Sequence, residues 1–150
     1  MLRKFKGGYH GAAVVLWTLE NHTISVLIGK RSTSPARRQW SFPGGTWDPV
    51  DGKDAQGKPD YRTTALRETE EETGITFGST APLKPIWALH LPRFHFVLFA
   101  CHVQQYVFPS SLSEFSAMHW APIHKLPRPL VLFVPSQIRA LKRHVKQRKE

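Results

Sequence analysis

The chain is short of the features that mark several protein classes. It has one cysteine in 150 residues, so no internal disulfide forms and a disulfide-stapled fold is excluded. That residue, Cys101, lies in the apolar run 96–101 and reads as a buried structural thiol, which makes a reducing cytoplasm the expected compartment. Long hydrophobic runs are missing too. The stretch 12–17 follows the basic residues Arg3, Lys4 and Lys6 but ends at Thr18 and Glu20, too short for a signal core or a membrane span, and reads as a strand. Neither an internal repeat nor a low-complexity tract is present. Acids are scarce, 11 against 21 Lys and Arg, for a net charge of +10. That imbalance favours anionic partners. What remains, 41% hydrophobic and 21% charged, is ordinary globular composition, and the length fits one domain, expected over 1–150.

Residues 12–19 and 24–30 are apolar and β-branched, and predict a hairpin connected through Glu20-Asn21-His22-Thr23. Residues 31–39 read as a loop, and Trp40-Ser41-Phe42 as a short strand running into Pro43-Gly44-Gly45. The stretch 46–60, with two glycines, two prolines and four aspartates, predicts a long exposed loop. A helix follows, started at Asp60 and stopped at Gly74, with Ala65 and Thr69 on one face. Strands are expected at 85–91, 94–103 and around 118–121. Ser136 is expected to cap a last helix with Ile138, Leu141 and Val145 as its apolar stripe. These elements mix without a βαβ rhythm, so the fold class is α/β in the α+β sense, a mixed sheet with helices packed on it.

Acids are scarce, yet four glutamates fall within residues 68–72. On a helix Glu68, Glu71 and Glu72 stand at i, i+3 and i+4 and share a face, while Glu70 points elsewhere, toward solvent. Like charges at this spacing repel. A hard divalent cation with oxygen ligands removes the repulsion, which makes Mg²⁺, with Mn²⁺ as substitute, the expected cofactor. Gly44 and Gly45 let backbone approach a metal or a phosphate without a side chain in the way, and Arg67 can hold a neighbouring carboxylate in place.

Gly45 followed by Arg67-Glu68-Thr69-Glu70-Glu71-Glu72-Thr73-Gly74-Ile75 resembles the Nudix box, G-x5-E-x7-R-E-U-x-E-E-x-G-U, with U a bulky aliphatic residue. Gly11-Ala12-Ala13-Val14-Val15, the segment 26–31, Trp40-Ser41-Phe42-Pro43-Gly44-Gly45, and Glu114 with Trp120 resemble the surrounding elements of that family. Two departures stand out. Gly45 and Arg67 are 22 positions apart where the box has 14, an insertion of eight, so the acid that partners Arg67 is either Asp51, at the right distance from Gly45, or Asp60, one residue off when counted back from Arg67. The U position is Thr69, whose methyl can still face a core.

The resemblance implies an α/β/α sandwich and a Mg²⁺-dependent pyrophosphohydrolase acting on a nucleoside diphosphate linked to another group. The expected substrate is a nucleoside triphosphate or a similar small nucleotide. Glu68, Glu71, Glu72 and the carbonyl of Gly44 are then the metal ligands, Glu68 or Glu114 the general base beside Arg67, and Arg31 and Gly45 phosphate contacts. Trp47, just past the glycines, is a candidate to stack on a base, and Arg37, Arg38 and Arg93 are weaker phosphate candidates. His95 has a place on a strand leading toward the site. The pairs His90/His95 and His119/His124 lack cysteine partners at zinc-site spacing. A nucleotide- or nucleic-acid-binding regulator using the basic residues Arg139, Lys142, Arg143, Lys146, Arg148 and Lys149 is the alternative. An isopentenyl diphosphate isomerase, which needs a suitably placed catalytic cysteine, is a third reading.

Overall fold

A computed structural model describes residues 8–78 and 81–148; Arg3, Lys4, Lys6 and Lys149 lie outside them. β1 (Tyr9–Glu20) and β2 (Thr23–Arg31) form the hairpin that the two apolar runs predict. Its connection is tighter than the four residues read from the sequence. Glu20 pairs with Thr23, and only Asn21 and His22 turn, with φ of 52° and 65°. Two successive left-handed residues make the primed turn whose twist matches that of the strands.

The two strands pair with each other only near that turn, from Trp17 and Val26 outward. Beyond it they part, and two short strands fill the freed edges. β3 (Trp40–Ser41) pairs with residues 29–30 of β2, and β4 (Gly44–Thr46) with residues 11–13 of β1. The glycines read as lying past a strand end are thus a strand themselves. After helix α1 (Tyr61–Thr73), β5 (Lys84–Leu91) and β6 (Phe94–His102) make a second hairpin. β6 runs parallel to β1 from Tyr9↔Phe94 to Trp17↔His102, and β7 (Phe115–Pro122) runs antiparallel to β2. Among the described residues the sheet has seven strands of mixed direction.

Alternation along β1 builds two cores. Ala12, Val14 and Leu16 pack with Leu27, Val97 and Ala65 of α1. Ala13, Val15 and Trp17 pack with Ile138, Leu141 and Val145 of helix α2 (Val134–Arg148). The helices therefore cover opposite faces of the sheet, the α/β/α arrangement that the resemblance implies. Cys101 is 3% exposed in the α1-side core, and burial pushes its thiol pKa up. Ser136 does not cap α2, which begins two residues earlier; its hydroxyl donates to the Phe133 carbonyl at 2.9 Å. Arg139, Lys142, Arg143, Lys146 and Arg148 are exposed on that helix. No helix among the described residues is long and apolar enough to cross a membrane.

Candidate functional site

The inserted loop is not open chain. Asp48-Pro49-Val50-Asp51 winds into a 3₁₀ turn at Pro49–Asp51, in which the Asp48 carboxylate accepts from the Val50 amide (3.0 Å) and the Asp51 carboxylate from the Asp48 amide (3.0 Å). This reciprocal capping turns the Asp51 side chain inward, where it is 6% exposed. There it accepts from Thr64 Oγ1 at 2.7 Å and from Arg67 Nε and Nη2 at 2.7 and 2.9 Å. Burial alone would push the Asp51 carboxyl pKa up, but the hydrogen bonds from Arg67, Asp48 and Thr64 outweigh it and hold the pKa below the usual range. Asp51 is therefore the acid that partners Arg67. Asp60 has a different task as the N-cap of α1, accepting from the Thr63 amide at 3.1 Å.

With Asp51 gripping one side of the guanidinium, the rest of it reaches three other places. Nη2 donates to the Thr46 carbonyl of β4 (3.0 Å), while Nη1 donates to Glu68 at 2.9 Å and to Glu71 at 3.3 Å. One arginine thus ties the loop, β4 and the carboxylate face of α1 together.

Glu72 lies deepest. At 3% exposure, its Oε1 accepts from the Gly44 amide at 2.7 Å, while its Oε2 is buried without a hydrogen-bond partner. Burial raises the Glu72 pKa to about 8, against the Gly44 hydrogen bond and with added repulsion from Glu68 and Glu114. Glu68 is shifted the same way, first by burial, with Arg67 opposing and Glu71 and Glu114 adding to the rise. Both glycines of β4 are required by close approach. A Cβ on Gly45 would run into the Glu68 carboxylate, and one on Gly44 into the β1 backbone at Ala12 and Ala13.

These residues fit a hard divalent cation in their chemistry. Every donor is oxygen, the charges are crowded, and the buried Glu72 Oε2 has nothing to satisfy it. In the arrangement seen, Arg67 holds Glu68 and Glu71, and among the described residues no three acid, histidine or cysteine groups stand as a ready-made metal centre.

Beside the carboxylates a cavity of about 630 Å³ opens where β1 and β2 part. Glu68, Glu71, Arg67, Gly44 and Gly45 line one end, together with Arg31 and Glu114. Arg31 Nε donates to the Pro35 carbonyl at 2.8 Å. The Glu114 carbonyl accepts from the Ser32 amide (2.9 Å) and hydroxyl (2.7 Å), which pins this exposed residue beside the end of β2. Tyr9, Phe94, Phe96 and Phe133 line the cavity as well, an aromatic wall that sequence reading missed. Its one signal is the alternation of Phe94 and Phe96, which puts both rings on one face of β6.

Other readings are corrected. Trp47 is 8% exposed and does not line the cavity; its indole N–H donates to the Gly52 carbonyl at 2.9 Å, so it braces the inserted loop instead of stacking on a base. Glu70 is half-buried, and its carboxylate accepts from the Phe77 amide at 2.9 Å instead of facing solvent. His95 lies in a row with His10, stacked at 4.7 Å, and with His90, their Nδ1 atoms 2.9 Å apart, away from the cavity lining. Arg37, Arg38, Arg93 and Cys101 do not line it either.

Comparison with known proteins agrees with this architecture. The model of the NUDIX domain matches residues 8–143. A search of curated proteins gives no match. Among solved structures, the NUDIX domain of Shewanella oneidensis NrtR complexed with ADP ribose is similar with a TM-score of 0.73 at 21% identity, over 94% of this chain and 90% of that one. A Caenorhabditis elegans Ap4A hydrolase in a binary complex gives 0.68 at 17%, over 93% and 98%. A MutT NUDIX hydrolase from Burkholderia pseudomallei gives 0.62 at 21%, over 91% and 98%. At such identities the structural likeness carries the fold alone, and it is the match of the family model across residues 8–143 that decides membership: the chain belongs to the NUDIX family.

Proposed function

We propose that this chain is a pyrophosphohydrolase that cleaves the diphosphate of a nucleoside diphosphate linked to another group, a nucleoside triphosphate or another small nucleotide. The observation that carries the reading is the crowding of the α1 carboxylates: Glu68 and Glu71 line a cavity within the size range of ligand pockets, and the Oε2 of their buried neighbour Glu72 has no hydrogen-bond partner. ADP ribose in the NrtR domain and the Ap4A named for the worm enzyme are both nucleoside phosphates joined to a further group, which supports the substrate class.

In this reading Glu68, Glu71 and Glu72, with the Gly44 carbonyl, hold Mg²⁺ or Mn²⁺. A divalent cation bound there neutralises phosphate charge and acidifies a water. Arg67, fixed by Asp51, keeps Glu68 and Glu71 oriented. Arg31 and the bare backbone at Gly45 receive phosphate oxygens. Glu68, whose raised pKa strengthens it as a base, or Glu114 at the same end of the cavity takes the proton of the attacking water.

The binding-only alternative, a regulator acting through the exposed cations of α2, has those cations in its favour. Phosphate release over a nucleotide panel, with and without Mg²⁺, separates the two. Hydrolysis requires turnover that depends on the metal and is nearly abolished by Glu71→Gln in a folded protein. Wild-type turnover in Glu71→Gln overturns the ligand assignment.

A further inference from the structure

The charges of this chain are segregated. Eight of its 11 acids fall between Asp48 and Glu72, whereas from Thr73 to Lys149 ten Lys and Arg accompany one acid, Glu114. Helix α2 has no acid at all. Arg139, Lys142, Arg143 and Lys146 stand at i, i+3, i+4 and i+7 and form one exposed stripe. None of the four makes an ion pair among the described residues. Two further cations flank the end of the stripe. Arg148 lies over the Trp17 ring, 5.2 Å from its centroid. Lys84 of β5 is near enough to add, after burial and Arg148, to the lowering of the His144 pKa.

Folding does not account for this stripe. The helix dipole favours cations in the last turn, which covers Lys146 and Arg148, but Arg139, Lys142 and Arg143 lie further in. Like charges three or four residues apart repel, at a cost to the helix. The face is not built to enter a membrane either. An interfacial helix buries its apolar side among lipid tails, and that of α2, Val134, Ile138, Leu141 and Val145, is already taken by the sheet. Nor does the face suit a single strand, whose bases stack on aromatic rings, because Val134–Arg148 contains no Phe, Tyr or Trp. What is left is a rigid row of positive charge about 10 Å long. Its complement is the equally rigid row of phosphates along a duplex.

We infer that the exposed face of α2 is a docking surface for double-stranded nucleic acid, gripping its phosphate backbone through Arg139, Lys142, Arg143 and Lys146 without reading bases. Phosphate contacts of this kind position a protein on a duplex and carry no sequence information. The surface lies on the opposite side of the sheet from α1. A duplex held there leaves the α1 carboxylates free, and the inference stands whether or not the chain hydrolyses nucleotides.

The test is fluorescence anisotropy of a labelled DNA duplex of mixed sequence, titrated with metal-free wild type and two folded variants. Lys142→Gln/Arg143→Gln cuts the stripe. Lys53→Gln/Lys58→Gln, at exposed positions of the inserted loop, removes the same net charge elsewhere. Wild type should bind with a Kd of about 10⁻⁴ to 10⁻⁶ M at physiological salt, and log affinity should fall by about 3 to 4 per decade of salt for four neutralised phosphates. Lys142→Gln/Arg143→Gln should weaken binding about 10- to 100-fold at low salt and cut that slope by about 2, with a melting temperature no lower than that of wild type. The loop variant should keep the wild-type slope. No duplex binding by wild type, an unchanged slope in Lys142→Gln/Arg143→Gln, or an equal loss in the loop variant overturns the inference. So does tighter binding of the single strand of the same sequence, or displacement of the duplex by phosphatidylserine vesicles, which assigns the face to a membrane instead.

Discussion

On one face of the sheet α1 buries Thr64, Ala65, Thr69, Glu72 and Thr73; on the other α2 buries Val134, Ile138, Ala140, Leu141 and Val145 beside the single polar Gln137. The first set removes little apolar surface from water and includes a carboxylate with an unpartnered oxygen. The second is an aliphatic stripe against Ala13, Val15 and Trp17. Apolar burial is the main stabilising term in a fold, so α2 and β1 carry stability, while α1 gives up packing for crowded charge. The Asp51–Arg67 pair keeps that charge ordered.

This division makes mutations on the two faces separable. Glu72→Gln should lower turnover on the order of 10² to 10³ without lowering the melting temperature, because it removes a poorly solvated carboxylate. Steady-state kinetics and a thermal scan on the same sample check this. Leu141→Ala should do the opposite, costing about 2–5 kcal/mol of unfolding free energy in a denaturant titration with turnover per folded molecule unchanged. Equal losses of activity and stability in both variants would erase the distinction.

The comparison sharpens within the inserted loop. Asp51→Asn should reduce turnover about 10- to 100-fold, as does loss of a residue that orients ligands. Asp60→Ala should cost only ~1 kcal/mol of stability through the lost cap and leave turnover nearly intact. The reverse ranking would return the role of Arg67 partner to Asp60.

The smallest effect concerns pH. A carboxyl whose folded pKa is raised, as for Glu72 at about 8, contributes stability that is complete below its unfolded pKa and is lost as pH rises through the folded one. The metal-free protein should therefore lose melting temperature, by a few degrees, between about pH 5 and about pH 8, and Glu72→Gln should flatten that slope. A slope identical in the variant would mean that Glu72 ionises as an ordinary carboxylate.

Much of this site was legible in the sequence because it depends on short-range spacing. Asp60 and Gly74 bound α1 as read, the latter left-handed at φ 73°, and the i, i+3, i+4 rule places Glu68, Glu71 and Glu72 together. The choice between Asp51 and Asp60 was not legible by counting, since an insertion breaks the count. A local signal existed: Asp48-Pro49-Val50-Asp51 has an acid three residues after a capping acid, a self-capped turn that points its last carboxylate inward. β4 escaped because Gly44-Gly45-Thr46 has little intrinsic strand preference and pairs only through its tertiary neighbour β1. Trp47 was misread because exposure of a loop aromatic depends on what the loop folds around, here the Gly52 carbonyl.

The most direct test of the account is Mn²⁺ binding followed by electron paramagnetic resonance, with wild type and Glu72→Gln shown by circular dichroism to be equally folded. If the crowded acids of α1 are a cation site, wild type takes up Mn²⁺ that Mg²⁺ displaces, and Glu72→Gln loses most of that affinity. Equal Mn²⁺ binding by both proteins, or none by wild type, contradicts it.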